Sequence, residues 1–172
     1  GALLKLTRRM TTQVDVQIAV EDESVPESGD IILWVSRAFQ ASGRGGEIEV
    51  LVRVVDETEM QKLNGEFRDQ GKPTNVLAFP AGPIDGLPDD AELPLGDIVI
   101  CAGVVRREAE EQNKAVSDHW AHMLVHGTLH LLGFDHINDS DTAVMENLEI
   151  QIMINHGIAN PYRESPRGPD TL

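Results

Sequence analysis

Three histidines offer this chain its clearest chemistry. In the stretch HGTLHLLGFDH, His126, His130 and His136 stand at offsets of four and then six, with Gly133 between the last two. Successive helical residues are about 100° apart, so His126 and His130 share one helix face, one turn apart. Two imidazoles at that spacing can converge on one ion through metal–nitrogen bonds of about 2.0–2.1 Å. Gly133 permits a left-handed turn that folds the chain back over the helix end, which would bring His136 to the same ion. Three neutral nitrogens with an open fourth position form the pattern of a catalytic site for one Zn2+. A closed structural site would want a fourth ligand, usually cysteine, and the single cysteine, Cys101, lies in a strand-like segment.

His119 and His122 extend the cluster. With His126 and His130 they fall within an arc of about 80° on a helical projection. The reading is that His122 supports the ligands or lines the cleft and that His119 lies further out. The spacing H-x-x-x-H-x-x-G-x-x-H is also that of the metzincin peptidases, which carry a glutamate general base immediately after the first histidine. Here that position is Gly127, which cannot move a proton. The cage is peptidase-like while the peptidase's base is missing. A hydrolase remains open, because a bound ion lowers the pKa of its water to about 7. Asp135 and Asp97 are further carboxylates that could support the site.

These residues need elements to hold them. VDVQIAV (Val14 to Val20) alternates with period two and predicts a strand; IILWVSRAF (Ile31 to Phe39) has helical spacing. IEVLVRVV (Ile48 to Val55) is a second strand, and Thr58 with Gln61 predicts a capped helix through about Arg68. A turn from Lys72 to Asn75 feeds a short strand ended by Pro80. The Gly-, Pro- and Asp-rich segment from Ala81 to Gly96 reads as a loop, and DIVICA (Asp97 to Ala102) as a strand. Helices follow over Val104 to Asn113, Ser117 to Leu132 with Gly133 as cap, and Thr142 to His156. The order β-α-β-α-β-β-α-α-α predicts an α+β single domain: a small mixed sheet of about four strands packed with about five helices, the metal site on a central helix and its following turn. Its expected limits are residues 10–160, with an N-terminal extension over 1–9 and a disordered tail over 161–172.

At 172 residues the chain is long enough to bury a core without staples. No apolar run is long enough for a membrane span, and one cysteine excludes an internal disulfide framework and fits a reducing cytoplasm. Twenty-nine acids against 14 bases leave a formal charge of −15. Taken alone this argues against a nucleic-acid partner, because cationic surface dominates phosphate binding. Net charge describes the far field, however, and a local basic cleft can survive inside an acidic envelope. Acids cluster at Asp85, Asp89, Asp90 and Glu92 and at Asp139, Asp141, Glu146 and Glu149, both read as solvated faces. Bases gather at Arg53, Lys62, Arg68 and Lys72, and at Arg106 and Arg107.

Three blocks taken together, HWAHMLV followed by HGTLHLLGFDH, LNGEFRDQGKPTNVLAFP and LGDIVIC, resemble the YbeY family of bacterial endoribonucleases, the ribosomal RNA maturation factors. They span Leu63 to His136. The resemblance implies a zinc-dependent, single-strand-specific endoribonuclease acting at the 3′ end of small-subunit ribosomal RNA and in ribosome quality control. It implies RNA and the small ribosomal subunit as partners, a cytoplasmic location, no membrane and no DNA. The family's metal-binding histidines map onto His126, His130 and His136, and its functional arginine maps onto Arg68. Two other readings compete: a metal-dependent peptidase-like hydrolase, favoured by the cage and opposed by Gly127, and a non-enzymatic ribosome-assembly factor whose zinc organises the fold.

Overall fold

The computed structural model describes residues 11–68, 74–81, 93–134 and 138–162; side chains at 11, 66–68 and 93 lie outside the described set. The elements are β1 (Thr11–Ile18), α1 (Ser28–Ala41), β2 (Glu47–Val55), α2 (Glu57–Arg68), β3 (Val76–Pro80), β4 (Leu93–Cys101), α3 (Ala102–Glu111), α4 (Val116–Leu131) and α5 (Asp139–Asn155). This is the order read from periodicity. The sheet runs β1-β2-β4-β3, with β1, β2 and β4 parallel and β3 antiparallel to β4. The fold is a single α+β domain on a four-stranded mixed sheet, as expected.

Period-two alternation sorts the strand residues between two apolar layers. Ile48, Val50, Val52 and Val54 of β2 and Ile98 and Ile100 of β4 enter the main core with α1, α4 and α5. Their neighbours Val55, Val99 and Cys101 point the other way, forming a smaller cluster with Leu77 and with Met60 and Leu63 of α2. One face of the sheet therefore carries α1 and α4, the other α2. Residues on both sides of α4 are buried, Trp120, Leu124, Val125 and Leu129 among them. It is the central helix, and its polar residues His119, His122 and Thr128 are buried with it.

Three local differences from expectation have physical causes. β4 begins at Leu93, inside the segment read as a loop. Pro94 and Gly96 produced that reading, but Glu49 faces Pro94 and Val50 faces Gly96, leaving Leu95 as an extra residue in a bulge. Bulges are where Pro and Gly are tolerated in strands. Gly96 sits at φ 144°, and a Cβ there would lie 2.3 Å from the Phe79 carbonyl oxygen. The cap of α2 is Asp56 and not Thr58: its carboxylate accepts from the Glu59 backbone N–H at 2.8 Å. α5 starts at Asp139, three residues early, because the Asn138 side chain accepts from Asp141 N–H at 2.8 Å. Among the described residues no helix is long and apolar enough to cross a membrane. Residues 1–9 and 163–172, parts of the expected extension and tail, lie outside the described set.

Candidate metal centre

α4 carries four histidines, from His119 near its start to His130 in its last turn, and then stops abruptly. Phe134 N–H donates to Leu129 C=O at 3.0 Å and Gly133 N–H donates to His130 C=O at 3.1 Å, the paired bonds of a Schellman termination. Gly133 sits at φ 101°, in the region only glycine enters cheaply. The reversal read from sequence is therefore present. His136, which it was to deliver, lies outside the described residues, as does Asp135.

His126 and His130 border a cleft of about 580 Å3 between α4 and β3. Their ring centroids are 4.9 Å apart with planes at 75°. Val76, Leu77 and Ala78 of β3 form the opposite wall, and Asn64, Thr74 and Phe134 contribute to the rim. None of the described lining residues is acidic. Gly127 lies on the same wall, and a Cβ there would meet Ile98 Cγ2 at 3.0 Å and Val76 Cγ2 at 3.4 Å. The helix approaches the sheet too closely at this position for any side chain to fit without displacement.

Behind His126 stands a carboxylate that the sequence reading placed on a solvated face. Glu149 is 0% exposed. Its Oε1 lies 2.9 Å from His126 Nδ1 and 2.9 Å from His122 Nε2, and its Oε2 accepts from Tyr162 OH at 2.8 Å. Burial alone would push this carboxyl up; the hydrogen bonds from His122 and His126 overcome that and hold it down at about 2. Burial pushes His122 down despite Glu149, so its ring is neutral near pH 7, and burial with the adjacent carboxylate pushes the Tyr162 phenol up. The Glu149 carboxylate thus gathers contacts from all three groups. His122 Nδ1, buried without a partner among the described residues, is then an orphan acceptor and not an orphan N–H. With the His126 proton on Nδ1, its lone pair is on Nε2, the form an imidazole needs to ligate. Ligand-type atoms of His122, His126 and Glu149 lie within 4.8 Å of one another, and such a group could hold a metal ion.

His119 does lie further out. Its Nε2 pairs with Glu108 Oε1 at 2.9 Å, and Glu108 accepts from Asn75 Nδ2 at 3.1 Å, tying the cleft rim at Asn75 to α3 and α4. Asp97 is exposed on β4 and is not among the cleft residues. Arg68 ends α2, but its side chain is outside the described set. Arg53 pairs with Glu59, Arg106 with Asp22 and Arg107 with Glu57, so these bases are partly neutralised within the protein. Glu149 was missed, yet α5 carried a signal: Met145, Glu149, Ile152 and Met153 are its buried residues, at offsets of four, seven and eight. The acid sits on the apolar stripe.

The described fold resembles the solution structure of a Thermotoga maritima protein, at 24% identity and a TM-score of 0.51, covering 90% of this chain and 99% of that one. A protein of Alcanivorax borkumensis named endoribonuclease YbeY is 49% identical over 153 residues, 88% of this chain and 87% of the relative. One of Halorhodospira halophila with the same name is 50% identical over 145 residues, 84% and 93% of the two chains. The family model described as endoribonuclease YbeY matches residues 15–157, the span that contains most of the sheet, the cleft and Glu149. The chain belongs to the endoribonuclease YbeY family.

Proposed function

We propose that this chain is a zinc-dependent, single-strand-specific endoribonuclease that matures the 3′ end of small-subunit ribosomal RNA and acts in ribosome quality control in the cytoplasm. Family membership over residues 15–157 carries the activity class. The cleft supports it: two histidines of the motif border a cavity whose described lining has no carboxylate to repel phosphate, although the chain carries −15 overall. A cavity of about 580 Å3 is within the range of small-ligand sites and suits one nucleotide at a time.

On this reading His126, His130 and His136 hold one Zn2+, which when bound supplies Lewis-acid stabilisation of charge at a phosphoryl oxygen. The set fits the ion in donor chemistry: His126 has its Nδ1 hydrogen-bonded to a carboxylate, the support commonly found behind a ligating imidazole. Arg68 is the catalytic residue, its guanidinium gripping a phosphate through two parallel hydrogen bonds. Phe134 and the β3 wall give an extruded base an apolar surface, which favours unpaired over duplex RNA.

The test compares wild type, Arg68→Ala and His126→Ala on single-stranded RNA, duplex RNA and casein. Cleavage of single-stranded RNA that falls by about 100-fold or more in Arg68→Ala supports the nuclease. Casein cleavage would support the peptidase, and ribosome binding without either activity the assembly factor. A 2′,3′-cyclic phosphate product identifies the ribose 2′-hydroxyl as nucleophile; a 5′-phosphate product rules that out.

A further inference from the structure

We infer that Tyr162 and His122 are positioning residues that act through Glu149 to present Nε2 of His126 to the metal, an inference that rests on the zinc reading above. An ionised carboxylate accepts hydrogen bonds and donates none. The protons on its three close contacts must therefore come from His126 Nδ1, His122 Nε2 and Tyr162 OH. A carboxylate buried this completely needs its oxygens satisfied by hydrogen bonds, and these three groups satisfy them.

Tyr162 is built into this arrangement from a distance in the chain. Its backbone N–H donates to Asn160 Oδ1 at 2.8 Å, and Lys114 Nζ donates to the Pro161 carbonyl at 3.0 Å, pinning the segment after α5 against the start of α4. The tyrosine ring then meets His122 edge-on at 5.2 Å and its hydroxyl reaches Glu149. His126 borders the cleft while Glu149, His122 and Tyr162 do not. They sit where they can orient the imidazole without touching substrate. Two contacts of 2.9 Å onto a single oxygen are hydrogen-bond lengths, so the same group is better described as support for His126 than as an ion cage.

Zinc affinity by competition with a chromophoric chelator tests this, alongside long-range 1H–15N imidazole spectra of the metal-free proteins. His126→Ala should lose zinc. Glu149→Gln should weaken zinc by about 10- to 100-fold and Tyr162→Phe by a smaller factor, as loss of outer hydrogen bonds to a ligand does. The spectra should show His126 protonated at Nδ1 in wild type and shifted toward the other tautomer in Glu149→Gln. If Glu149→Gln does not fold, Tyr162→Phe, at a partly exposed position, carries the test. Folded variants that bind zinc indistinguishably from wild type and keep its tautomer overturn the inference. So does loss of zinc in Glu149→Gln as complete as in His126→Ala while His130→Ala retains it, which would make Glu149 itself a ligand. Retention of zinc by His126→Ala would instead reject the ligand assignment beneath it.

Discussion

A methyl group on Gly127 would come within 3.0 Å of Ile98 and 3.4 Å of Val76, both side chains of the sheet beneath α4. Contacts of 3.0 Å are tighter than apolar carbons accept, and Ile98 is fully buried. Alanine would gain about 1 kcal/mol of helix propensity, whereas overpacking a filled core costs about 1–3 kcal/mol. Gly127→Ala is therefore expected to lower stability by about 1 kcal/mol, read as a fall in the urea midpoint with unchanged slope. A gain in stability would show that Ile98 has room to move. The same closeness keeps a metzincin's glutamate out of this position: α4 would have to lift from the sheet to admit it. Glu149 carries the opposite lesson, since a residue type that favours solvent is here held fully buried by three donors.

Elements hold these residues in place through their ends as much as through their faces. α5 presents Glu149 one side-chain length from α4, and its start is set by Asn138, whose side chain accepts from Asp141 N–H. Replacing an N-terminal asparagine cap by alanine typically costs about 1 kcal/mol. Asn138→Ala should therefore lower stability by that amount, read as a lower unfolding midpoint, and denaturation of Asn138→Asp at neutral pH should stay near wild type, because aspartate caps as well. Equal loss in both variants would mean that Asn138 acts through some other contact. α4 and β3 set the width of the cleft between them: a Cβ at Gly96 of the bulged β4 would lie 2.9 Å from Leu131 Cδ2, so glycine there lets helix, β3 and β4 meet.

For the whole molecule, acid stability follows from how distant segments are tied. Asp22, after β1, pairs with Arg106 of α3 and accepts from Ser24 N–H at 2.9 Å and Ser24 OH at 2.6 Å. Burial pushes its carboxyl up, but the Ser24 hydrogen bonds and Arg106 bring it below the ordinary 3.8. A carboxyl depressed by folding contributes stability that is fully present above its unfolded value and lost as pH falls below 3.8 toward the folded value. Asp22→Asn should thus cost about 1 kcal/mol at pH 7 and progressively less in acid, with the two unfolding curves converging. A gap that stays constant with pH would exclude the charge as its origin. Zinc should couple to the fold as well. At 100 times its dissociation constant it would add about 2.7 kcal/mol, seen as a higher Tm that a chelator reverses.

Local geometry is what a linear chain displays most directly. The pairing of His126 with His130 follows from helical pitch, the stop at Gly133 from the conformational freedom of glycine, and the element order from hydrophobic period; each depends on residues within a few positions of one another. The β4 start was misread because Pro94 and Gly96 carry the same local signal in a bulge as in a loop. Glu149 lies 23 residues from His126, Tyr162 lies 40 from His122, and Ile98 lies in another element from Gly127. No local period encodes those contacts. They arise when α5 and the segment after it close over α4 and exclude water, a step that turns one glutamate among 29 acids into the buried anion behind a histidine.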